Sequence, residues 1–217
     1  MRTITVKGVG TASTKPDLIV ISLSITEKNA EYIGAINGAN ERIEKLQTAI
    51  TTVGFAKEDL KTLSFNARTN YENHRTVNGD YKQKFAGYVC DYDLKLSLDF
   101  DNKRLAETLT AISNSGANAE QSIAFTVKNP EKVSAQLLKS ATENARKKAE
   151  VLCAASGVTL GELVNIDYSW NDISIHSPSV YSKQLRCMDA APAAAMPEFV
   201  PEDIKSSDSA TFIWEIK

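Results

Sequence analysis

A chain of 217 residues is long enough to bury a core without disulfide or metal staples, as one large domain or two small ones. Its 25 basic and 27 acidic residues leave a net charge of −2, which supplies no global field for nucleic acid or for an anionic membrane. The cysteines, Cys90, Cys153 and Cys187, are odd in number and far apart, which argues against a disulfide framework or a CxxC metal site and fits a reducing compartment.

Met1 leads straight into strand pattern, with neither the apolar run nor the cleavage site of a signal peptide, and no stretch of about 18 consecutive apolar residues occurs. The expectation is a chain without a transmembrane segment, cytoplasmic as written, or periplasmic if a leader has been removed.

Ile4 to Thr26 reads as two strands joined at Pro16-Asp17. Ile4 and Val6 alternate with Thr5 and Lys7, and Ile19, Ile21, Leu23 and Ile25 take every second position opposite Ser22, Ser24 and Thr26. Such a segment is a sheet core that later helices must cover. Asn29 to Val53 is a helix with Ile33, Ile36, Ile43, Leu46, Ile50 and Val53 on its apolar stripe, stopped by Gly54. Gly34 and Gly38 inside it each cost about 1 kcal/mol against alanine, so close packing on the sheet or on a subunit neighbour is expected there.

Leu63, Phe65, Ala67, Thr69 and Tyr71 form one face of a third strand, whose other face is wet. Glu72 to Lys84, around Asn78-Gly79, is a protruding hairpin. A long strand follows, with Tyr88, Cys90, Tyr92, Leu94, Leu96, Leu98 and Phe100 on one face and Asp91, Asp93, Lys95, Ser97 and Asp99 on the other. Asn102 to Ser115 is a helix carrying Leu105, Leu109 and Ile112 inward to Gly116; Ile123, Phe125 and Val127 form a strand closed by Asn129-Pro130. Glu131 to Ser156 is the most helical segment, and its stripe of Val133, Leu137, Ala141, Ala145, Ala149 and Leu152 is narrow enough to permit close approach. After Gly157 come a strand from Leu163 to Trp170, a Ser-, Pro- and Ala-rich arm from Asn171 to about Ser209, and a last strand with Phe212, Trp214 and Ile216 inward.

This order predicts an α+β fold of two-layer antiparallel or mixed sheets with helices on one face. Two intertwined subdomains are expected. Residues 1–84 with 162–217 make a ββαβ unit completed by the C-terminal strands, 85–161 make an inserted βαβα unit, and 171–209 are a long loop or arm.

The candidate chemistry is thin. Gly8-x-Gly10 fails as a phosphate loop because a strand, not a helix N-terminus, follows; a bulge or close strand approach explains it better. Asp91 and Asp93 share a face and have the spacing of a cation or acid/base pair, but solvated carboxylates on a wet strand face are commoner. His74 and His176 lack spacing partners for a metal, and two histidines define no Ser-His-Asp order. Cys187 beside Arg186 has the cationic neighbour that activates a thiol. Lys139, Arg146, Lys147 and Lys148 give one helix a basic side that complements its dipole, without the interleaved aromatics of a nucleic-acid surface. No catalytic, cofactor-binding or metal residue is assigned, no cofactor is implied, and neither an enzyme nor a nucleic-acid binder is expected.

Several landmarks nevertheless recur in a known order. Ile4-Thr5-Val6 with Gly8, Gly10 and Pro16-Asp17, then Gly54 before Asp59-Leu60, Gly87-Tyr88, Gly116-Ala117 before Ile123-Ala124-Phe125, and Ala141 through Ala149 resemble the SIMPL-domain family over nearly the whole chain. The chain departs from that pattern at Pro201-Glu202-Asp203, where Pro-Gly-Glu is usual, at Ser206, where an apolar residue is expected, and in lacking a secretion signal. The resemblance implies a bacterial two-part α+β protein of unknown activity, with ring-like or channel-like oligomers in some members, a link to stress or envelope physiology, and no catalytic residues to carry over. The resulting expectation is a non-enzymatic homo-oligomer. The alternative is a protein- or ligand-binding module using the 72–84 hairpin and the 171–209 arm.

Overall fold

The computed structural model describes residues 2–75, 81–168, 175–178, 181–183 and 199–217. The elements follow as β1 (Thr3–Thr14), β2 (Leu18–Asn29), α1 (Tyr32–Thr52), a 3-10 turn (Lys57–Asp59), β3 (Lys61–Arg75), β4 (Tyr81–Asp99), α2 (Asn102–Asn114), β5 (Glu120–Thr126), α3 (Pro130–Ala155), β6 (Leu160–Asp167), β7 (Tyr181–Lys183) and β8 (Ile204–Ile216). The strands form two sheets, ordered β1-β8-β6 and β3-β4-β2-β5-β7. The fold is α+β with antiparallel pairing, as the element order implied.

The chain divides into two compact units, residues 1–17, 125–179 and 201–217 in one, and 18–124 and 180–200 in the other. The expected division lay at 84/85 and 161/162. The first two strands are also not one sheet core: β1 pairs with β8 and β2 pairs with β4. The reason lies at Asp17, whose backbone N–H donates to the Thr126 carbonyl at 3.1 Å and whose carboxylate accepts from the Lys128 N–H at 2.7 Å. Those bonds tie the link to the end of β5 instead of closing a hairpin.

In the first unit α3 lies on β1 and β8. Asn129 caps it, accepting from the Lys132 N–H at 3.0 Å, with Pro130 at the first turn where a missing N–H costs nothing. Beneath it Val6, Ala210, Phe212 and Trp214 pack with Ala145 and Ala149. A Cβ on Gly8 would strike the Ala141 carbonyl oxygen and lie 2.8 Å from the Ala145 methyl. One on Gly10 would strike the Leu137 carbonyl oxygen and lie 2.8 Å from the Ala141 nitrogen. Gly-x-Gly on the strand and the alanine stripe on the helix are therefore two halves of one close contact.

α3 also closes the free edge of β1. Asn144 accepts from the Val9 N–H at 3.1 Å, Ser140 from the Thr11 N–H at 3.5 Å, and the Lys148 ammonium donates to the Lys7 carbonyl at 3.2 Å. Residues 140, 144 and 148 stand one turn apart, so one helix face meets alternate outward groups of one strand.

β8 begins at Ile204, inside the stretch expected to be an arm to residue 209. Its inward positions alternate as Ile204, Ser206, Asp208 and Ala210, all buried. Small polar residues at core positions hid that alternation. Asp208 is bonded to the Tyr168 hydroxyl at 2.8 Å, a bond that raises the phenol's pKa. The Ser206 hydroxyl is buried with no hydrogen-bond partner among the described residues. Ser206→Ala is therefore expected to stabilise the protein by about 1 kcal/mol, since an unmet buried donor costs roughly 1–3 kcal/mol; an unchanged or lower midpoint in urea unfolding would contradict this.

In the second unit Ile19, Ile21 and Leu23 face Leu98, Leu96 and Leu94 across the β2–β4 ladder, and all are buried. α1 covers them with Ala35, Ala39, Leu46 and Ile50. The expected stripe was too large at its start: Ile33 is 67% exposed, and the alanines are buried in its place. Gly34 and Gly38 leave room for the Asn29 and Glu27 side chains of β2, so the close packing expected of them is against the sheet. α2 is capped by Asp101, which accepts from the Lys103 and Arg104 N–H groups at 2.8 and 3.2 Å, and it buries Leu105, Leu109 and Ile112 as its spacing implied.

Arg42, on α1, is the unit's polar clasp. Its guanidinium donates to the carbonyls of Ala117, Asn118 and Thr26 at 2.6, 2.7 and 2.8 Å and to the Glu27 carboxylate at 3.0 Å. Asn118 sits at φ +50°, a left-handed turn held by that clasp.

Candidate functional site

β3 and β4 form a hairpin whose ladder continues to Arg75↔Tyr81. Its Asn78-Gly79 tip lies outside the described residues. Along the ladder Asn70 faces Gly87 but Tyr71 faces Phe85, so Ala86 is an extra residue on β4. Gly87 takes φ +114°, and a Cβ there would strike the Asn29 carbonyl. Such a bulge re-aims side chains. Here it brings Phe85 and Tyr88, three apart, to the same face.

The result is a chain of aromatic rings in edge-to-face contact. Tyr71 meets Phe85 at 5.8 Å, Phe85 meets Tyr88 at 5.4 Å, and Tyr88 meets Tyr32 of α1 at 5.5 Å. Phe65 and Tyr92 lie 4.8 Å apart on the same strand pair. α1 covers the β4 end of this row: Ala35 and Ala39 bury Cys90, with Ile36, Tyr88 and Tyr92 packed beside them. Burial, followed by the charges of Asp91 and Glu27, pushes the Cys90 thiol above its ordinary range. Burial, with a smaller effect of Cys90, does the same to the Tyr92 phenol, which donates to Asn40 at 3.2 Å.

α1 does not cover β3. Leu63, Phe65 and Tyr71 are 62%, 49% and 54% exposed, although the alternation had placed them inward. This correction is the main feature that sequence reasoning missed. A signal existed in Gly87, since a glycine within a strand pattern marks a bulge or a close backbone approach.

The opposite face of the same strands holds Asp91 and Asp93. Asp93 accepts from the Ser24 and Ser64 hydroxyls, each at 2.7 Å, one on each oxygen. Asp91 accepts from the Thr26 hydroxyl at 2.8 Å and pairs with Arg68 at 3.2 Å. Each carboxylate oxygen already has a protein donor, so the pair is a cross-strand polar ladder. The Ser64 hydroxyl first, then that of Ser24, hold the Asp93 carboxyl below its ordinary 3.8. A depressed folded pKa adds stability that is complete above the unfolded value and is lost as pH falls through the folded one. The Ser24→Ala/Ser64→Ala variant is accordingly expected to lag the parent in urea unfolding at neutral pH, with the gap closing as pH drops below 3.8. A gap that stays constant or widens on acidification would refute the assignment.

The other sequence candidates do not converge. His74 lies on β3 and His176 bridges to Thr126 in the other unit. Cys187 and Arg186 lie outside the described residues, and Cys153 is buried. On α3, Lys148 caps the β1 edge and Arg146 pairs with Glu150 at 3.1 Å. Among the described residues no three His, Cys, Asp or Glu side chains are grouped to hold a metal ion, and no helix is long and apolar enough to cross a membrane.

The same landmarks that build this architecture, the β1 glycines against the α3 alanines above all, lie within residues 4–214, which match the SIMPL model, described as a protein of unknown function (DUF541). The chain belongs to the SIMPL family. It is 28% identical over 166 residues to the "26 kDa periplasmic immunogenic protein" of Brucella melitensis and equally to that of Brucella abortus. The matched region takes in 75% of this chain and 65% of each relative. Within that match, the Gly-x-Gly and alanine residues are accounted for by the close contact of β1 with α3.

Proposed function

We propose that this SIMPL-family chain works as a non-catalytic protein that self-associates, outside the cytoplasm, in envelope or stress physiology. The observation that carries the reading is the bare aromatic and aliphatic face of β3, with Leu63, Phe65 and Tyr71 about half exposed or more. A contiguous exposed apolar patch on a soluble surface marks an interaction site. The extracytoplasmic location is supported by the relatives, whose names describe them as periplasmic. Size-exclusion chromatography with light scattering tests the assembly: a monomer at high micromolar concentration overturns it. Fractionation of the source cells tests the location, and recovery only with cytosolic markers overturns that part.

The second reading is a module that binds a different protein with the same hairpin. It is favoured by the length of the β3–β4 ladder, which continues to Arg75↔Tyr81. A chain that remains monomeric yet binds a partner, and loses it when residues 72–84 are shortened, would establish it.

A further inference from the structure

The sheets leave four outer strands, and they differ in how their unpaired backbone groups are managed. β1 is closed by Ser140, Asn144 and Lys148 of α3. β7 is three residues long. β6 is interrupted by two register shifts, between Leu160 and Leu163 and between Leu163 and Asn165. β3 is 15 residues long, its one irregularity of its own lies at Leu63 near its start, and from Ser64 to Arg75 no proline breaks it. No strand among the described residues pairs with its outer edge. A long edge strand with an exposed apolar face is a template for another strand.

The side chains of β3 say which strand. Arg68 and Glu72 lie on the polar face, four residues apart, both exposed, and Asn70 stands midway. We propose that a second copy of this chain docks on β3, antiparallel, about a two-fold axis at Asn70; this rests on the self-association reading and supplies its surface. In that register Arg68 faces the second copy's Glu72 and Glu72 its Arg68, so both pairs are opposite in charge. Centring on Arg68 or on Glu72 would instead set like charges face to face, which destabilises a sheet. Arg68 keeps its bond to Asp91 because a guanidinium has five N–H donors. On the other face Tyr71 falls opposite Thr69 and diagonal to the second Tyr71, within reach for aromatic side chains. The exposed Tyr71–Phe85 rows of the two copies thus meet at the axis. An isologous contact of this kind needs one self-complementary patch, and β3 provides it.

The test uses the full chain with Cys187→Ser, since Cys90 and Cys153 are buried. Asn70→Cys is expected to give a disulfide-linked dimer under mild oxidation, because the two copies of residue 70 are directly opposite. Glu72→Arg is expected to weaken association about ten-fold or more, and Arg68→Glu added to it to restore affinity, since the pairs are then reversed. Thermal unfolding of each variant verifies that the fold is intact, as expected for exposed Arg68 and Glu72 and half-buried Asn70 on an outer strand. An assembly that survives Glu72→Arg and gives no Asn70 cross-link overturns this surface while leaving self-association standing. A monomer at all concentrations overturns both. Protection of β3 amides only on addition of a different protein overturns the second copy as occupant.

Discussion

Gly10→Ala is expected to cost about 3 kcal/mol or more, at the top of the range for overpacking a core. The reason is what the new methyl would meet. It would run into the Leu137 carbonyl oxygen and sit 2.8 Å from the Ala141 nitrogen, both main-chain atoms of α3. A side chain in that position turns aside by changing rotamer, but a helix backbone moves only as a unit. Moving α3 outward would also strain the bonds of Ser140, Asn144 and Lys148 to the β1 edge and loosen Ala145 and Ala149 over Phe212 and Trp214. Urea unfolding gives the measurement, with Val9→Ala on the exposed face of the same strand as a control expected within about 0.5 kcal/mol of the parent. Truncating the helix side chain, Leu137→Ala, should not rescue Gly10→Ala. Rescue would show that the side chain, not the backbone, sets the spacing.

Arg42→Ala is expected to cost roughly 2–4 kcal/mol, because it strands several acceptors at once. The carbonyls of Ala117, Asn118 and Thr26 all lose a charged donor, and Glu27 loses its partner. The arginine side chain is only 19% exposed, so water replaces these bonds poorly. Arg42→Lys should recover less than half of the loss, since one ammonium cannot span carbonyls spread over the Ala117-Asn118 loop and strand β2. Glu27→Gln should cost much less than Arg42→Ala, because the carbonyl bonds outnumber the ion pair. Hydrogen exchange in residues 115–119 should accelerate in Arg42→Ala. If Glu27→Gln proved equally damaging, the clasp would be an ion pair and the carbonyls incidental.

Much of this fold was legible in the chain because its signals are local. The 3.6-residue spacing of Leu105, Leu109 and Ile112, the Asn129-Pro130 break that closes the strand before α3, and the strict alternation through Ile19, Ile21 and Leu23 each specify an element without reference to a partner. The elements left illegible were those whose burial depends on what lies opposite. Ile33 reads as core and is exposed, while Ala35 and Ala39 read as neutral and are buried, because at 3.6 residues per turn Ile33 lies about 160° round the helix from Ala35, off the face that Ala35, Ala39, Leu46 and Ile50 turn to the sheet. Ser206 and Asp208 read as loop, and they lie on the inner face of β8. The candidate site followed the same rule: Leu63, Phe65 and Tyr71 have the alternation of a buried face, and only the width of α1 leaves them bare.

By itself the sequence determined most element types, the α+β class and the close contact implied by small residues, which follow from periodicity and side-chain size, and the family, which follows from the order of its landmarks. Strand pairing was decided only in three dimensions. An alternating strand fits any neighbour with a matching face, so nothing in β1 or β2 alone says that they belong to different sheets; the Asp17 bonds to β5 and the register with β8 do. The Gly87 bulge is likewise one residue of register, yet it lines up Tyr71 and Phe85 with Tyr88, which meets Tyr32 of α1, and so builds the one surface to which a function is assigned.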